Sequence, residues 1–275
     1  MCTYNGVRYI EEQLKSILRQ SVPVNEVIIC DDRSTDNTVQ LIRSLIQEQK
    51  LPVKIFVNDV NLGIKKNFEK ALRTCTGEII LLADQDDIWE YEKVKKIQQY
   101  FEQHSDKNVV FTNANLLDNG VRIPDTAWDK RGFHGNEKEV LKDPSEMLRQ
   151  LLLKWNIATG ATMAVRKSAL ARFLPFSDHK NYHHDHLLAL EAAAENSLGF
   201  IDECLITYRM HAEQQIGFRK RKVPTFLQPP YRLLQKAKKK LLKRKRLEEK
   251  KLIAGYLLKL ANENFPEGKN ILEAV

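Results

Sequence analysis

The chain has 275 residues, 43% of them hydrophobic and 29% charged, which predicts a folded protein that can bury its own core. No apolar stretch approaches the roughly 20 residues of a membrane span, and no basic and apolar leader opens the sequence. We therefore expect a cytoplasmic protein. Its four cysteines form no C-x-x-C pair and are expected to be buried thiols.

The net charge of +8 is unevenly distributed along the chain. Residues 218–251 hold 15 Lys or Arg against Glu248 and Glu249, a net +13, so the remainder carries −5. A nucleic-acid-binding protein carries its positive charge on the folded face that reads the ligand. We therefore do not expect nucleic acid as the partner, and the basic residues form an extension of an acidic body.

The first half alternates β-rich runs with amphipathic stretches, a pattern that predicts an α/β fold with a parallel sheet covered by helices. Apolar residues at helical spacing, such as Ile10, Leu14 and Ile17, indicate the helices. The predicted strands are 26–30, 53–57, 78–83 and 108–112, and the predicted helices are 8–19, 35–48, 64–74 and 90–104.

The second half begins with a polar stretch, residues 117–142, whose Gly and Pro content predicts a long loop. After Gly217 a Pro-containing linker leads into a long basic helix. Between them the pattern predicts a helix at 145–153, a Gly-containing segment around Gly160, a helix at 185–196 and a strand at 203–208.

The first six residues have the pattern of a strand end that runs into a loop and a helix. A parallel sheet of this kind normally opens with a full strand, and none precedes these residues. We therefore expect that the first strand is missing through a misplaced start codon or a truncation. In-frame apolar codons upstream of Met1 in the gene are the corresponding prediction.

Two carboxylates, Asp31 and Asp32, directly follow the apolar run VIIC at the predicted carboxyl end of a strand. Ligands of α/β proteins bind in the crevice at that edge of the sheet. The carboxylates can accept hydrogen bonds from the imide of a uracil or thymine base, or from ribose hydroxyls. Equally, with Ser34 they can form an acidic helix start that favours the helix dipole and binds nothing.

Three more carboxylates, Asp84, Asp86 and Asp87, follow another apolar strand in the run LLADQDDIW. Carboxylates this close raise one another's pKa unless a cation compensates them. Mg²⁺ or Mn²⁺ held by one or two carboxylates takes its remaining ligands from phosphates and water. We favour this metal site over a solvated acidic turn, because the run follows a buried strand at the same sheet edge as Asp31 and Asp32.

The run YHHDH places Asp185 among three histidines at a predicted helix start. Asp185 can be a general base that takes a proton from an attacking hydroxyl, or it can be a helix cap. One zinc ion bound by all three histidines is disfavoured, because adjacent His side chains point in different directions.

Arg209 and His211 end the last predicted strand, in the run YRMHAEQQIG. An Arg offers phosphate a bidentate fork, and a His offers a charge or a metal ligand. The alternative is a surface pair that only closes the strand. On its own this run does not decide between them.

These motifs, in this order and spacing, resemble the family 2 glycosyltransferases with the GT-A fold, in particular the rhamnosyltransferase-like branch of bacterial polysaccharide synthesis. The chain differs from that family at Arg33, where Gly is common. The resemblance covers about residues 1–217 and rests on the ordered runs CTYNG, EEQLKSILRQS, EVIICDDRSTDNT, NLGIKKNFEKAL, TGEIILLADQDDIW, ATGATMAVRKSAL, HHDHLLAL and YRMHAEQQIG.

The resemblance implies an inverting glycosyltransferase that uses a nucleoside-diphosphate sugar, carried on dTDP or UDP, together with Mg²⁺ or Mn²⁺. It implies a saccharide or a polyprenyl-linked acceptor. The implied architecture is a GT-A, Rossmann-like, mostly parallel sheet flanked by helices. Its parts are a nucleotide-sugar half at 1–116, an acceptor and catalytic half at 117–217, and a basic helical extension at 218–275.

By the same resemblance, Asp185 is the catalytic base. The other implied roles are nucleotide binding for Thr3, Tyr4, Asp31, Asp32 and Asp84, metal binding for Asp86 and His211, diphosphate binding for Arg209, and acceptor binding for Gly160, His184 and Trp89.

The basic segment 218–251 has leucines at helical spacing among its cations. Such a helix can lie on an anionic membrane surface, as a peripheral protein with a lipid-linked acceptor would require. It can also pack on the body or on a second subunit.

The alternative functions are a sugar nucleotidyltransferase, which typically has a Gly-rich phosphate loop near the N-terminus, and a non-enzymatic binding protein that acts through the basic segment.

Overall fold

The computed structural model of the chain describes residues 1–49, 52–153, 156–178 and 182–214, together with 217 and 255. The basic extension predicted at 218–275 therefore lies outside the described residues, apart from residue 255. In the described ranges, no helix is both long and apolar enough to cross a membrane.

A three-stranded parallel sheet forms the first part of the fold. Its elements are β1 (Cys2–Thr3), α1 (Ile10–Leu18), β2 (Val27–Asp31), α2 (Thr38–Gln49), β3 (Val53–Val57) and α3 (Ile64–Thr74), with the strands in the order β1-β2-β3. Val27 and Ile29 of β2 share a core with α1 and α2, whereas Ile28 and Cys30 face Ala71 of α3. Helices thus cover both faces, which is why every residue of β2 is buried.

Strand β1 corresponds to the strand end that the sequence indicates, and it is two residues long. Cys2 pairs with Cys30, and Thr3 pairs with Asp31. On its other side, the Cys2 amide donates to the Ala83 carbonyl oxygen at 3.3 Å. This bond joins the parallel sheet to the second part of the fold. A longer strand upstream of Met1 stays a prediction.

A mixed sheet forms the second part. Its elements are β4 (Ile79–Leu81), β5 (Ile88–Trp89), α4 (Lys93–Gln103), β6 (Val109–Asp118), β7 (Val121–Thr126), α5 (Pro144–Leu153), β8 (Ala164–Arg166), α6 (Leu170–Phe173), α7 (His184–Ala194) and β9 (Leu198–Met210). The strand order is β4-β8-β6-β9-β5, with β7 paired to β6. Strands β6 and β9 run parallel, and the other pairs in this sheet are antiparallel. The α/β class is confirmed, with the parallel pairing concentrated in the first part.

The prediction of a long loop at 117–142 is wrong for the first part of that segment, because the chain forms a β-hairpin there. Strand β6 continues to Asp118, and the chain turns at Asn119 and Gly120 into β7. Both turn residues have positive φ, 48° and 84°, the conformation that Asn-Gly adopts in a two-residue hairpin turn. Short 3-10 helices at Asp129–Arg131 and Gly135–Lys142 follow.

The main hydrophobic core packs β6 against α3, α5 and α7. Val109 and Phe111 of β6, Leu148 of α5 and Leu188 of α7 are all 0% exposed. Trp128, which lies in the predicted loop, is also buried in this core. Helix α7 is therefore packed into the core along its length, and its first turn faces the cleft that forms the candidate active site.

Gly199 of β9 allows α4 to approach the second sheet closely. A Cβ at this position would overlap the Tyr100 hydroxyl and would lie 2.8 Å from Tyr100 Cζ. We expect Gly199→Ala to lower the free energy of unfolding by about 1–3 kcal/mol. Gly77→Ala is the control in chemical denaturation, because its Cβ meets only the Ile79 carbonyl oxygen at 3.7 Å. Equal effects of the two substitutions would contradict this packing.

Candidate active site

A cleft of about 750 Å³ opens at the carboxyl ends of β1, β2 and β4, and both parts of the fold line it. Most of the side chains that the sequence singled out meet here, although they are up to 208 positions apart in the chain. The ones that line the cleft are Thr3, Tyr4, Asp32, Asp84, Asp86, Gly160, His184, Asp185 and His211. Asp31, Trp89 and Arg209 do not line it.

Asp31 lies beneath the cleft and is 0% exposed. Its Oδ2 accepts hydrogen bonds from Thr3 Oγ1 (2.7 Å) and Ser34 Oγ (2.6 Å), and its Oδ1 accepts one from the Ser34 amide (2.8 Å). The predicted direct contact of Asp31 with a nucleotide is therefore corrected. Asp31 fixes Thr3 and Ser34, and Thr3 is the member of this group that reaches the cleft.

Asp32 faces the cleft and organises the loop that follows β3. Its Oδ1 accepts hydrogen bonds from Asn58 Nδ2 (2.9 Å) and the Leu62 amide (2.7 Å), and its Oδ2 accepts one from the Gly63 amide (2.8 Å). Since each carboxylate oxygen can accept two bonds, Oδ2 keeps one acceptor position for a ligand. Neighbouring Arg33 has φ 66°, the left-handed conformation that favours Gly.

The carboxylates of Asp84, Asp86 and Asp87 form an acidic group after β4. Burial, with the nearby charges of Asp86 and Asp185, raises the pKa of Asp84 to about 7. Burial also raises the pKa of Asp87 well above its usual range, and the charges of Asp86 and Asp84 add to this effect. Asp87 Oδ1 accepts a bond from the Arg209 amide (3.1 Å). Full ionisation of this group would therefore place more negative charge here than its surroundings compensate.

Asp86 and His211 face each other in the cleft, with His211 Nε2 2.9 Å from Asp86 Oδ2. The Glu213 amide lies 3.3 Å from His211 Nδ1, so Nε2 is the ring nitrogen that faces Asp86. The His211 ring also contacts Tyr9, with ring centroids 4.5 Å apart. These contacts hold both side chains on one wall of the cleft.

A divalent cation fits this donor set, which combines carboxylate oxygens with one imidazole. In the described part of the chain, no three His, Cys, Asp or Glu side chains are arranged to hold a metal by themselves. Mg²⁺ and Mn²⁺ in phosphate-binding sites need only one or two protein carboxylates, since phosphates and water complete their coordination. Asp86 and His211, with Asp84 beside them, meet that requirement.

Arg209 is turned away from the cleft. Its Nη2 donates to Glu12 Oε2 (2.6 Å), its Nε donates to the Asp86 carbonyl oxygen (2.9 Å), and its guanidinium lies 4.9 Å from the Tyr9 ring centroid. The predicted direct contact with a diphosphate is therefore corrected, because Arg209 does not line the cleft and two of its five N–H donors are used inside the protein. Arg8 lines the cleft instead, and its position two residues after the run CTYNG was the available signal.

Trp89 is 6% exposed and does not reach the cleft, so its predicted contact with an acceptor is also corrected. It lies in β5, where its amide donates to Ser16 Oγ (2.9 Å). The Lys93 ammonium lies 4.1 Å from the Trp89 ring centroid. Trp89 is a packing residue beneath the acidic group.

Asp185 lies in the first turn of α7 and is only partly buried. Its Oδ2 accepts a hydrogen bond from the Gly160 amide (3.1 Å), and its Oδ1 accepts one from the His186 amide (2.7 Å). Each oxygen retains an acceptor position, so the carboxylate is oriented but can still take a proton.

His184 lies beside Asp185 and is 5% exposed. Its ring stacks on Phe68 with centroids 3.8 Å apart, and burial lowers its pKa to about 4, so the imidazole is neutral at physiological pH. Neither ring nitrogen has a hydrogen-bond partner among the described residues. A Cβ on Gly160 would lie 2.8 Å from Nε2, so the absence of a side chain at Gly160 leaves room for this ring.

The three histidines of the run YHHDH do not converge on one point. His183 is exposed, His184 is buried against Phe68, and His186 Nε2 contacts the Leu151 carbonyl oxygen (2.8 Å). This agrees with the sequence argument against a zinc site formed by these three residues.

The raised pKa of Asp84 has a measurable effect on stability. Between about pH 4 and pH 7 the folded chain keeps a proton on Asp84 that the unfolded chain has released, so its contribution to the free energy of unfolding falls as pH rises. We expect metal-free Asp84→Asn to be more stable than the unmodified chain by about 1–3 kcal/mol at pH 8, with the difference disappearing near pH 4.

Chemical denaturation in a metal chelator at both pH values measures this difference. Asp118→Asn, at an exposed position in the hairpin, is the matched control. A stability difference for Asp84→Asn that is the same at pH 4 and pH 8 would show that Asp84 has an ordinary pKa.

Comparisons with known sequences identify related proteins. A family model described as Glycosyl transferase family 2 matches residues 1–174. The dTDP-rhamnosyl transferase RfbG of Shigella flexneri is 30% identical over 233 residues, which cover 79% of this chain and 73% of RfbG.

Comparisons with solved structures identify the fold. Staphylococcus aureus TarS 1–349 in complex with UDP matches with a TM-score of 0.56 and 23% identity, over 76% of this chain and 59% of that one. The mannosyltransferase PcManGT of Pyrobaculum calidifontis, in complex with GDP-Man and Mn²⁺, matches with a TM-score of 0.56 and 21% identity, over 74% of this chain and 53% of that one. The chain thus spans less than two thirds of these solved chains. The likeness shows the GT-A fold, as predicted.

Proposed function

The chain belongs to glycosyl transferase family 2, as its motifs indicate, and we propose that it transfers a sugar from a nucleoside-diphosphate donor to a hydroxyl acceptor with inversion at the anomeric carbon. One observation carries the proposal. A single cleft combines Asp32 at the end of β2, the metal-type donors of Asp86 and His211, and the oriented carboxylate of Asp185.

The donor carrier is proposed to be a pyrimidine nucleotide, dTDP or UDP. RfbG is named for dTDP-rhamnose chemistry and TarS was solved with UDP, and both bases present an imide N–H. Asp32 Oδ2 has an acceptor position for that imide or for a ribose hydroxyl. Tyr4, 37% exposed in the cleft, offers a ring against which a base can stack. Rhamnose is the transferred sugar that the likeness to RfbG favours.

Asp86 and His211, with Asp84, are proposed to hold Mg²⁺ or Mn²⁺ together with the donor diphosphate. A cation there supplies charge neutralisation for the departing nucleoside diphosphate. The raised pKa values of Asp84 and Asp87 support this assignment, because a cation would compensate the charge of their ionised forms. Arg8, which lines the same cleft, adds a positive charge for the phosphates.

Asp185 is proposed to be the general base. The amides of Gly160 and His186 hold its carboxylate in one orientation, so that it takes the proton of the acceptor hydroxyl. The freed oxygen attacks the anomeric carbon from the face opposite the diphosphate, and the bond to the diphosphate breaks. This single displacement inverts the configuration of the sugar.

The acceptor side is proposed to lie around Gly160 and His184, next to Asp185. The neutral His184 ring can donate one hydrogen bond and accept another, which suits sugar hydroxyls. We propose a saccharide or polyprenyl-linked acceptor in surface polysaccharide synthesis on the cytoplasmic face of the membrane. Residues 218–251 carry the positive charge that would favour an anionic membrane surface.

The substitution Asp185→Asn tests the proposed base. We expect the rate of sugar transfer or donor hydrolysis to fall by about 10²–10⁴-fold, because an amide cannot take the proton. The affinity for Mn²⁺ and the nucleoside diphosphate should stay unchanged. Asp118→Asn, an exposed carboxylate on the β6–β7 hairpin, should retain full activity.

Release of UDP from UDP-N-acetylglucosamine, and of dTDP from dTDP-rhamnose, provides the measurement. An equal loss of nucleotide affinity would make Asp185 a binding residue, and full activity of Asp185→Asn would exclude it as the base. Retention of configuration in the product would contradict the single displacement.

A further inference from the structure

Lys93, in the first turn of α4, is 0% exposed although it is a charged residue. Its Nζ donates a hydrogen bond to the Ala161 carbonyl oxygen (2.8 Å) and lies 4.1 Å from the centroid of the Trp89 ring. Lysine is almost never fully buried unless it is paired. The fold therefore keeps this amino group beneath the cleft at a substantial desolvation cost, which lowers the pKa of Lys93 to about 7.

The charges that face Lys93 are the carboxylates of Asp84 and Asp87. Asp87 is 1% exposed, and its Oδ2 has no hydrogen-bond partner among the described residues. Neither carboxylate forms a salt bridge with Lys93. No carboxylate oxygen of Asp84 or Asp87, which are both described residues, lies within 4 Å of Lys93 Nζ. The direct bond of the ammonium is to the backbone of Ala161, so the position of Lys93 is set by that turn as well as by charge.

The turn that accepts this bond is the short 3-10 helix Gly160–Thr162. It is held at two points, since the Ala161 carbonyl oxygen accepts a bond from Lys93 Nζ and the Gly160 amide donates to Asp185 Oδ2 (3.1 Å). Within it, the Thr162 amide closes on the Thr159 carbonyl oxygen (2.9 Å). A displacement at Ala161 is therefore transmitted over one peptide unit to the bond that orients Asp185.

We propose that Lys93 is a positioning residue for the transfer reaction: it fixes the turn at residues 160–162 and thereby holds Asp185 in the orientation of a base. This inference rests on the proposed function of Asp185. It links the acidic donor side to the acceptor side through one buried side chain. Lys93 touches no substrate itself and acts only through the turn.

Hydrogen exchange tests the positioning without any assumption about activity. Lys93→Met replaces the ammonium with an unbranched apolar side chain of similar length. We expect faster amide exchange in peptides that cover residues 157–163, with exchange in β6 unchanged. Lys95→Met is the control and should leave exchange unchanged, because Lys95 lies on the same helix, is partly exposed and pairs with Glu92. Unaltered exchange at 157–163 in Lys93→Met would overturn the proposal.

A double-mutant cycle tests whether Lys93 acts through Asp185. We expect Lys93→Met alone to lower kcat for donor hydrolysis by about 10–100-fold, while the dissociation constant for Mn²⁺ with UDP or dTDP changes less than about threefold. In the Asp185→Asn background the same substitution should have no further effect on kcat. A structural role would instead multiply the two losses, and that result would overturn the proposal.

Two results separate this inference from the proposed function. If the unmodified chain neither binds UDP or dTDP nor turns over their sugars, the proposed function fails, whereas the exchange experiment still decides whether Lys93 positions the turn. If Lys93→Met does not fold, the double variant Lys93→Met with Asp87→Asn removes both buried titratable groups and is used in its place. Slow exchange at 157–163 in that double variant would again overturn the proposal.

Discussion

Repulsion among the carboxylates of Asp84, Asp86 and Asp185 is the interaction on which the site depends. The pKa of Asp84 rises to about 7 because the group is buried and because Asp86 and Asp185 add negative charge. The fold supports this unfavourable arrangement from outside, through the core around α7 and the backbone bonds to Asp185. A cation that arrives with a diphosphate would relieve the repulsion, so that binding and folding stabilise each other.

The two parts of the fold meet in a small number of polar contacts around this charge. Arg209 of β9 is bonded to the Asp86 carbonyl and to Glu12 of α1, and His211 is bonded to the Asp86 side chain. Lys93 joins the segment after β5 to the turn at Gly160, which carries the bond to Asp185. Hydrogen bonds therefore link the segments of the fold on both sides of the cleft.

Much of the fold could be predicted from the sequence, because helical and strand periodicities are strong in the first half, and α3 begins and ends at its predicted residues. The hairpin at Asn119 and Gly120 was missed, although Asn-Gly between two extended runs is a strong hairpin signal. The prediction that Trp89 lies in the cleft was wrong. A motif gives the order of residues, but it does not show which side chain of a two-residue strand is buried. The spacing of Lys93 with Ile97 and Phe101 placed it on the buried face of α4, a signal that became meaningful only with the structure.

Calorimetric titration of the chain with UDP and with dTDP, in the presence and absence of Mn²⁺, measures whether the cleft binds a nucleotide through a cation. One of these nucleotides should bind with a marked dependence on the cation, and Asp86→Ala should remove this dependence. Binding that is equally strong without Mn²⁺ would contradict the metal site. Failure of the folded chain to bind either nucleotide would contradict the assignment of the cleft to a nucleotide-sugar donor.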